Sequence, residues 1–289
     1  MNNNLSIILP AKNESASLRK LLPKLISTYA DAEIIIVNDG SEDDTLDECS
    51  KYNVRVISHP YSKGNGASIK TGARAARGDI LVFMDADGQH SPEDIQRLLE
   101  EIERGNDMVV GSRDAASHAS LPRRIANLLY NRLASYMSGH KICDLTSGFR
   151  AVKASVFEQF LYLLPNGFSY PTTITMALFR SGYSIKYVPI NCEKRIGDSH
   201  IRLIKDGVKF LLIIFRVTSL YSPLKIFAPA SFAIFVTGLC YYAYTYSYFG
   251  RFTNMSALLI LTSVIIFLIG LLSEQITFLI YSQNQKRNN

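Results

Sequence analysis

The run Ile80-Leu81-Val82-Phe83-Met84 constrains this chain most. An unbroken apolar run of this length predicts a strand buried on both faces, as in parallel sheets covered by helices on either side. The run ends abruptly in Asp85-Ala86-Asp87-Gly88-Gln89-His90. In an extended chain residues i and i+2 project to the same side, so Asp85 and Asp87 converge on one point, with Gln89 two positions on. Carboxylates at the C-terminal end of such a strand sit where open α/β sheets bind ligands. Two hard oxygen donors side by side repel unless a cation neutralises them. A divalent ion carried by a diphosphate is the natural third party, because Mg²⁺ is usually held by one or two carboxylates plus substrate phosphates. An Asp-x-Asp taken alone reads equally well as a strand end before a polar turn, so the rest of the chain has to decide.

Around this strand the pattern alternates. Leu5 to Leu9 is a short apolar strand stopped by Pro10, and Leu18, Leu21, Leu22, Leu25, Ile26 and Tyr29 follow the spacing of an amphipathic helix. Glu33 to Val37 is a second strand, followed by a helix capped by Ser41 with acids in its first turn. Val54 to Ser58 is a third strand, and Asn65 to Arg77 a helix of small residues suited to close packing on a sheet. After the central strand, Pro92 opens a helix whose buried face is Ile95, Leu98, Leu99 and Ile102, and Asp107 to Gly111 is a fifth strand. A helix near Arg123 to Ser138, a dense polar turn from Asp144 to Arg150, a helix from Thr172 to Ser181 and a strand from Ile185 to Val188 complete the pattern. Strands alternating with helices predict an α/β fold: a mostly parallel sheet with helices on both faces.

The C-terminal part differs. From Ile226 to Tyr281 the formal charges are Arg251 and Glu274 alone, so the net charge of +6 resides in the rest of the chain. Ile226 to Phe249 and Met255 to Tyr281 are each long enough to span a bilayer. Two spans form a hairpin with both ends on one side. Lys225 precedes the first and Lys286-Arg287 follows the second, which places the large domain and the C-terminus in the cytoplasm. Tyr241, Tyr242, Tyr244, Tyr246 and Tyr248 would form a belt at the far interface, and Glu274 requires a polar partner or a place near an interface. Between domain and hairpin, Arg202, Lys205, Asp206, Lys209 and Arg216 fall within about 100° of one another on a helical wheel, opposite Ile201, Ile204, Val208, Leu211, Leu212 and Phe215. This is the pattern of a helix lying in the membrane interface, with docking on the domain core as the alternative. The expected organisation is a catalytic domain over 1–199, a juxtamembrane amphipathic helix over 200–222 and a transmembrane hairpin with a short tail over 223–289. Cys49, Cys143, Cys192 and Cys240 lack zinc or CxxC spacing and read as free thiols in a reducing compartment. Met1 to Asn4 has no basic or apolar leader and is expected to run straight into the first strand, without a cleaved signal.

Four segments carry the chemistry: Pro10-Ala11-Lys12-Asn13-Glu14, Val37-Asn38-Asp39-Gly40-Ser41, Lys63-Gly64-Asn65-Gly66-Ala67, and the Asp85/Asp87 pair. All fall at strand C-termini or helix N-termini, so they should face one crevice. Glu14 and Asp39 can accept hydrogen bonds from a base or ribose, while Gly64 and Gly66 permit close backbone approach. Neither the dinucleotide fingerprint nor a phosphate-binding P-loop is present.

These segments, with Asp144-Leu145-Thr146-Ser147-Gly148-Phe149-Arg150 and in this order, resemble the family 2 glycosyltransferases of GT-A fold, nearest the polyprenyl-phosphate sugar synthases such as dolichol-phosphate mannose synthase. The resemblance covers about residues 5 to 215, and the two-span tail extends it. It implies that Pro10, Ala11, Lys12, Glu14, Val37, Asp39, Lys63 and the Asp85-Ala86 segment hold the nucleotide sugar. It implies a divalent metal, Mg²⁺ or Mn²⁺, on Asp85, Asp87 and Gln89, phosphate contact by Arg113, and reception of the acceptor phosphate by Arg123 and Arg124. Asp87, Arg113, Arg123 and Arg124 would carry catalysis. The segment Lys194-Arg195-Ile196-Gly197-Asp198-Ser199-His200 is similar to a family loop that closes over the donor. There are departures: Lys12 stands where some members have an aromatic, Asn38 replaces an Asp, and Lys194 and His200 occupy Arg and Lys positions.

The reaction implied is a single inverting transfer from a UDP- or GDP-sugar to a polyprenyl phosphate. An anionic phosphate acceptor needs positioning rather than a general base. A hydroxyl acceptor, for which Asp144 is the candidate base, and a non-catalytic membrane adaptor are the other readings. The implied partners are the nucleotide sugar, the polyprenyl phosphate and membrane lipid, with no nucleic acid, and homo-oligomerisation is compatible with them. Arg150 reads either as a neutraliser of Asp144 in a structural turn or as a functional residue. His59 and His90 read as helix-edge or loop residues, and His118 as loop.

Overall fold

The computed structural model describes residues 4–113, 121–167, 170–192 and 222–287, with side chains outside 121–126 and 280–287. The chain divides into two compact units, Met1–Asp206 and Gly207–Asn289. The amphipathic helix expected over 200–222 lies outside the described residues apart from Ser222, as does His118.

The first unit is built on a seven-stranded sheet of order β3-β2-β1-β4-β6-β5-β7. The strands are β1 (Leu5–Ala11), β2 (Glu33–Asn38), β3 (Arg55–Ser58), β4 (Ile80–Phe83), β5 (Met108–Arg113), β6 (Arg150–Lys153) and β7 (Ile185–Ile190). The pairs β1–β2, β1–β4, β2–β3 and β5–β7 are parallel, whereas β6 runs antiparallel between β4 and β5. The helices are α1 (Ser15–Thr28), α2 (Thr45–Ser50), α3 (Asn65–Ala75), α4 (Glu93–Glu103), α5 (Leu121–Ser138), α6 (Ala154–Glu158) and α7 (Tyr170–Arg180).

Burial follows the two-residue period of the strands. Ile7, Leu9, Ile34, Ile36, Val82 and Met84 face one layer with Leu18, Leu21, Leu22 and Leu25 of α1 and Ile95, Leu98 and Ile102 of α4. Ile8 and Val37 face α3 on the other side, where Gly72 lies so close that an added Cβ would stand 2.3 Å from Ile8 Cγ2. Truncating a fully buried leucine such as Leu22 should cost roughly 2–5 kcal/mol, transfer and cavity together.

Three expectations need correction. Pro10 does not stop β1, which continues to Ala11. Met84 N–H donates to Ile8 O and Asp39 N–H to Ala11 O. Even-numbered positions of β1 thus face β4, and Pro10 falls past the last of them that is paired, so no ladder bond is lost. Ser41 caps no helix: α2 begins at Thr45, and Ser41 Oγ accepts from Asn13 N–H at 3.0 Å instead. The segment read as a polar turn ends in β6, a strand too short and too charged at its ends to announce itself. It is followed directly by the short α6, which the periodicity also misses.

In the second unit, helices Leu224–Phe249 and Asn254–Arg287 are joined at Gly250, which takes the left-handed conformation (φ 63°) common after a helix C-terminus. The positions they bury recur every seven residues: Ser231, Gly238 and Thr245 on the first, Ser256, Ser263, Gly270 and Thr277 on the second. Small residues at one seam let two backbones approach without lipid between them. A Cβ on Gly270 would lie 2.6 Å from Phe227 Cβ. The outward residues are large and apolar, among them Phe232, Leu261 and Leu272, each more than half exposed. Both helices are long and apolar enough to cross a membrane. Glu274 finds its polar group: Leu224 N–H, at the start of the first helix, donates to its carboxylate at 3.3 Å.

Candidate active site

Because β2, β1 and β4 are parallel neighbours, their C-terminal ends share one sheet edge. The segments starting at Ala11, Asn38 and Met84 therefore emerge side by side, and the turn entering α3 is tied to them by hydrogen bonds. Asn13 and Ser41 link the first two segments. Asn13 has φ 56°, donates its N–H to Ser41 Oγ and accepts from Glu42 N–H at 2.8 Å. Ser15 N–H reaches the Asp43 carboxylate at 3.1 Å and Glu14 N–H reaches Thr45 Oγ1 at 3.0 Å. Glu14 itself accepts from Ser17 Oγ. Pro10, Ala11 and Val37 are buried in their strands, and Lys12 and Lys63 are exposed.

Asp39, expected to accept from a base or ribose, is 4% exposed and already filled. His59 Nδ1 (2.7 Å) and Lys63 N–H (2.8 Å) meet one oxygen, and Ser62 Oγ (2.8 Å) and Gly64 N–H (2.9 Å) meet the other. Burial raises its pKa, but these four hydrogen bonds outweigh burial and hold the carboxyl below the ordinary range. His59, read from sequence as an edge or loop residue, is buried in this network.

The close approach that Gly64 and Gly66 allow is made by the chain itself. A Cβ on Gly66 would stand 2.2 Å from Pro165 O, and one on Gly64 2.5 Å from Asn166 O. Ala67 N–H donates to Asn166 O, and Lys70 Nζ holds Leu164 O at 3.0 Å. Segment 164–167 thus covers the start of α3.

At the end of β4, Asp85 and Asp87 are partly exposed on either side of buried Ala86. Gln89 N–H returns to Asp87 Oδ1 at 3.1 Å, closing a tight turn. Gly148 backs Asp85 so closely that a Cβ there would meet Asp85 Oδ2 at 2.8 Å. Thus the glycine of the Asp144–Arg150 segment is what gives this carboxylate its place. Among the described residues no cluster of three His, Cys, Asp or Glu side chains could hold a metal. Two adjacent carboxylates nonetheless suit a divalent ion that takes its other oxygens from a diphosphate and water.

Arg113, at the end of β5, makes a two-pronged pair with Asp144: Nε to Oδ2 at 2.8 Å and Nη2 to Oδ1 at 3.0 Å. Nη2 also reaches Thr146 Oγ1 at 2.6 Å, while Thr146 and Ser147 N–H donate to Asp144 at 3.1 Å. Burial works against both charges. The Arg113 hydrogen bond nonetheless keeps the Asp144 carboxyl below its usual range and, reciprocally, raises the guanidinium. Asp144 is therefore neutralised by Arg113 and not by Arg150.

Arg150 is wholly buried. It donates to Pro171 O and Thr175 Oγ1, each at 3.2 Å, and to Ser147 O, while Nε has no acceptor among the described residues. Burial lowers its pKa, opposed by the more distant Tyr170, Tyr187, Asp144 and Asp85. A buried cation beneath the Asp85 and Asp144 turns adds positive potential to this edge. His90 is buried against the Phe149 ring (centroids 4.8 Å apart), and burial pushes its pKa down to about 4. It is a neutral packing residue rather than an edge one.

Arg123 and Arg124 fall in the first turn of α5, with side chains outside the described set, and Lys194, Arg195 and His200 lie outside the described residues. Sequence reasoning missed Asp43 and Ser62, and it did not give Asn13, Ser41 or His59 their part in tying the turns together. The left-handed backbone at Asn13 has a weak local signal in the residue type, but the pairing of its side chain with Glu42 is a tertiary fact.

Residues 6–161 match the family described as Glycosyl transferase family 2, and residues 222–279 match the GtrB C-terminal hairpin. The chain is 30% identical over 209 residues to the polyprenol monophosphomannose synthase of Mycolicibacterium smegmatis, covering 67% of this chain and 79% of that protein. It is 38% identical over 198 residues to the dolichol-phosphate mannosyltransferase of Pyrococcus furiosus, covering 64% of this chain and 54% of that one. Among solved structures, glucosyl-3-phosphoglycerate synthase of Mycobacterium tuberculosis with Mn²⁺ and UDP-glucose superposes with a TM-score of 0.62 at 20% identity, covering 75% of this chain and 79% of that one. This last likeness is one of fold.

Proposed function

Starting from a chain that belongs to glycosyl transferase family 2, we propose that it moves a sugar from a UDP- or GDP-sugar to a polyprenyl phosphate at the cytoplasmic face of a membrane. The observation that carries the reading is the Asp85/Asp87 pair, set at the sheet edge shared by the three turns, with Gly148 making room for Asp85. Asp85 and Asp87, with Gln89, would hold the divalent ion, and that ion supplies neutralisation of the diphosphate charge as the glycosidic bond breaks. Ala11 to Glu14 and the Lys63 turn would line the nucleotide. Asp39 would act there through the turn it anchors, since its own oxygens are occupied.

Arg113 would meet the donor phosphates with the edge of its guanidinium not committed to Asp144 and Thr146, and a preset cation of this kind stabilises developing charge without reorganising. The Asp144 carboxylate is held ionised by Arg113 and by backbone N–H groups, which disfavours it as a general base for a hydroxyl acceptor. A phosphate acceptor needs none. The acceptor reading draws on the names of the relatives and on α5, which carries Arg123, Arg124 and Arg132 and no acid. That helix also exposes Leu128, Leu129 and Tyr136, each more than 60% accessible. Such a face suits a lipid acceptor better than a soluble glycan. The remaining assignments, namely Arg123 and Arg124 on the acceptor phosphate and Lys194, Arg195 and His200 closing over the donor, belong to the same proposal. So do the boundaries 1–199, 200–222 and 223–289.

The test is transfer by purified full-length protein in detergent. A panel of UDP- and GDP-sugars is offered with undecaprenyl phosphate and Mn²⁺ or Mg²⁺, and product is extracted into organic solvent. Labelled lipid product that disappears with EDTA is expected. Equal transfer to free polyprenol or to an oligosaccharide would end the lipid-phosphate reading.

A further inference from the structure

The four-fold occupation of Asp39 raises the question of what orients that carboxylate. We propose that His59 is a positioning residue of the donor site, holding Asp39 in the one orientation that pins the Lys63–Gly64 turn. The inference rests on reading this sheet edge as the nucleotide-sugar site.

His59 directly follows β3, and its N–H donates to Asn38 O at 2.9 Å, so its backbone is fixed to the end of β2. Its side chain is 5% exposed and spans two elements: Nδ1 lies 2.7 Å from Asp39 Oδ1, and Nε2 lies 2.9 Å from Thr71 Oγ1 on α3. An ionised carboxylate only accepts, so Nδ1 donates to Asp39, and Nε2 pairs with the Thr71 hydroxyl. One ring satisfies both contacts at once. The second oxygen of Asp39 is then directed at Ser62 Oγ and Gly64 N–H, while the first also takes Lys63 N–H. This fixes two consecutive backbone amides at the entry to α3. Gly64, at φ 100°, is the residue whose conformation the carboxylate holds. The route from Thr71 through His59 and Asp39 to Lys63 and Gly64 is a chain of directional bonds, buried at its centre. Removing its middle member, His59, would leave Asp39 held by the turn alone, with no tie to α3 fixing its orientation.

Two near-isosteric substitutions separate positioning from mere packing. The Asn side-chain nitrogen occupies the place of imidazole Nδ1, so His59→Asn keeps the bond to Asp39 and drops Thr71. The Gln amide reaches the place of Nε2, so His59→Gln keeps Thr71 and drops Asp39. Full-length wild type and both variants are compared in detergent by calorimetric titration of UDP and of GDP with Mn²⁺, by hydrogen exchange of the 63–67 amides, and by thermal unfolding. His59→Asn should bind the preferred nucleotide within about threefold of wild type and protect the 63–67 amides. His59→Gln should bind roughly tenfold or more weakly, the loss of one charge-assisted hydrogen bond, and exchange those amides faster. Equal weakening by both variants, in step with lowered Tm, would make His59 a packing residue and overturn the proposal. Unchanged binding by both would overturn it as well. If wild type binds neither nucleotide while the two variants still differ in amide exchange, the donor-site reading is what fails, and His59 is left ordering a turn that serves something else.

Discussion

Replacing Asp144 by alanine removes the acceptor for both prongs of Arg113 and for the N–H groups of Arg113, Thr146 and Ser147. The Asp144 side chain is 8% exposed and that of Arg113 29%. Breaking a fully buried pair from one side costs roughly 3–5 kcal/mol. Because Arg113 can turn part of its guanidinium to water, about 2–4 kcal/mol is expected here. For a unit of this size each kcal/mol lowers Tm by roughly 2–4 °C, so a fall of about 4–16 °C follows. The assay is calorimetry of the full-length protein in detergent, where unfolding of the first unit is followed by its own transition. The pH dependence has a fixed sign. The folded pKa of Asp144 is depressed, so the stabilisation is complete above the unfolded value of about 3.9 and is lost as pH falls through the lower folded value. The gap between wild type and Asp144→Asn should therefore be constant from about pH 8 to 5 and narrow only below about 4. Arg113→Met with Asp144→Leu, which removes both charges, should recover much of the loss. A single Asp144→Ala variant within 1 °C of wild type, or a gap that closes between about pH 7 and 5, would refute the claim that this pair is formed and desolvated in solution.

Asp87→Asn should abolish transfer while leaving Tm within about 1–2 °C of wild type, as for a partly exposed functional carboxylate; retained activity, or full wild-type activity in EDTA, contradicts the metal role. Gly148→Ala places a methyl 2.8 Å from Asp85 Oδ2, so half-saturation by Mn²⁺ should rise about 10–100-fold, as for a lost supporting shell, and an unchanged Mn²⁺ titration would show that Asp85 is not a ligand. Gly270→Leu, whose Cβ would meet Phe227 at 2.6 Å, should destabilise the hairpin by roughly 1–3 kcal/mol, read as faster protease cleavage at the connecting loop. Tags at both termini should be digested in inverted vesicles, whereas protection of the C-terminal tag contradicts a two-span hairpin with cytoplasmic ends.

Much of this protein is written in local pattern. The apolar runs of β1, β2 and β4, the α1 and α4 faces and the two long apolar helices are each specified by residues close in sequence, because burial of a strand or helix face imposes its own period. The Asp85/Asp87 pair was legible for the same reason, as it is the end of a run. What sequence could not carry are the facts that depend on which distant segment arrives. The antiparallel β6 is four residues long and is a strand only because β4 and β5 flank it. Arg113 competes with Arg150 for Asp144, and only the placement of the two strands decides the winner. Gly64 and Gly66 announce a close approach but not that Pro165 to Gly167 makes it. His59 shows no local sign of Asp39, twenty residues away. Hydrogen bonds and ion pairs of this kind are short-ranged and directional, so they are settled only when packing of the apolar faces has already fixed the backbone to within fractions of an ångström.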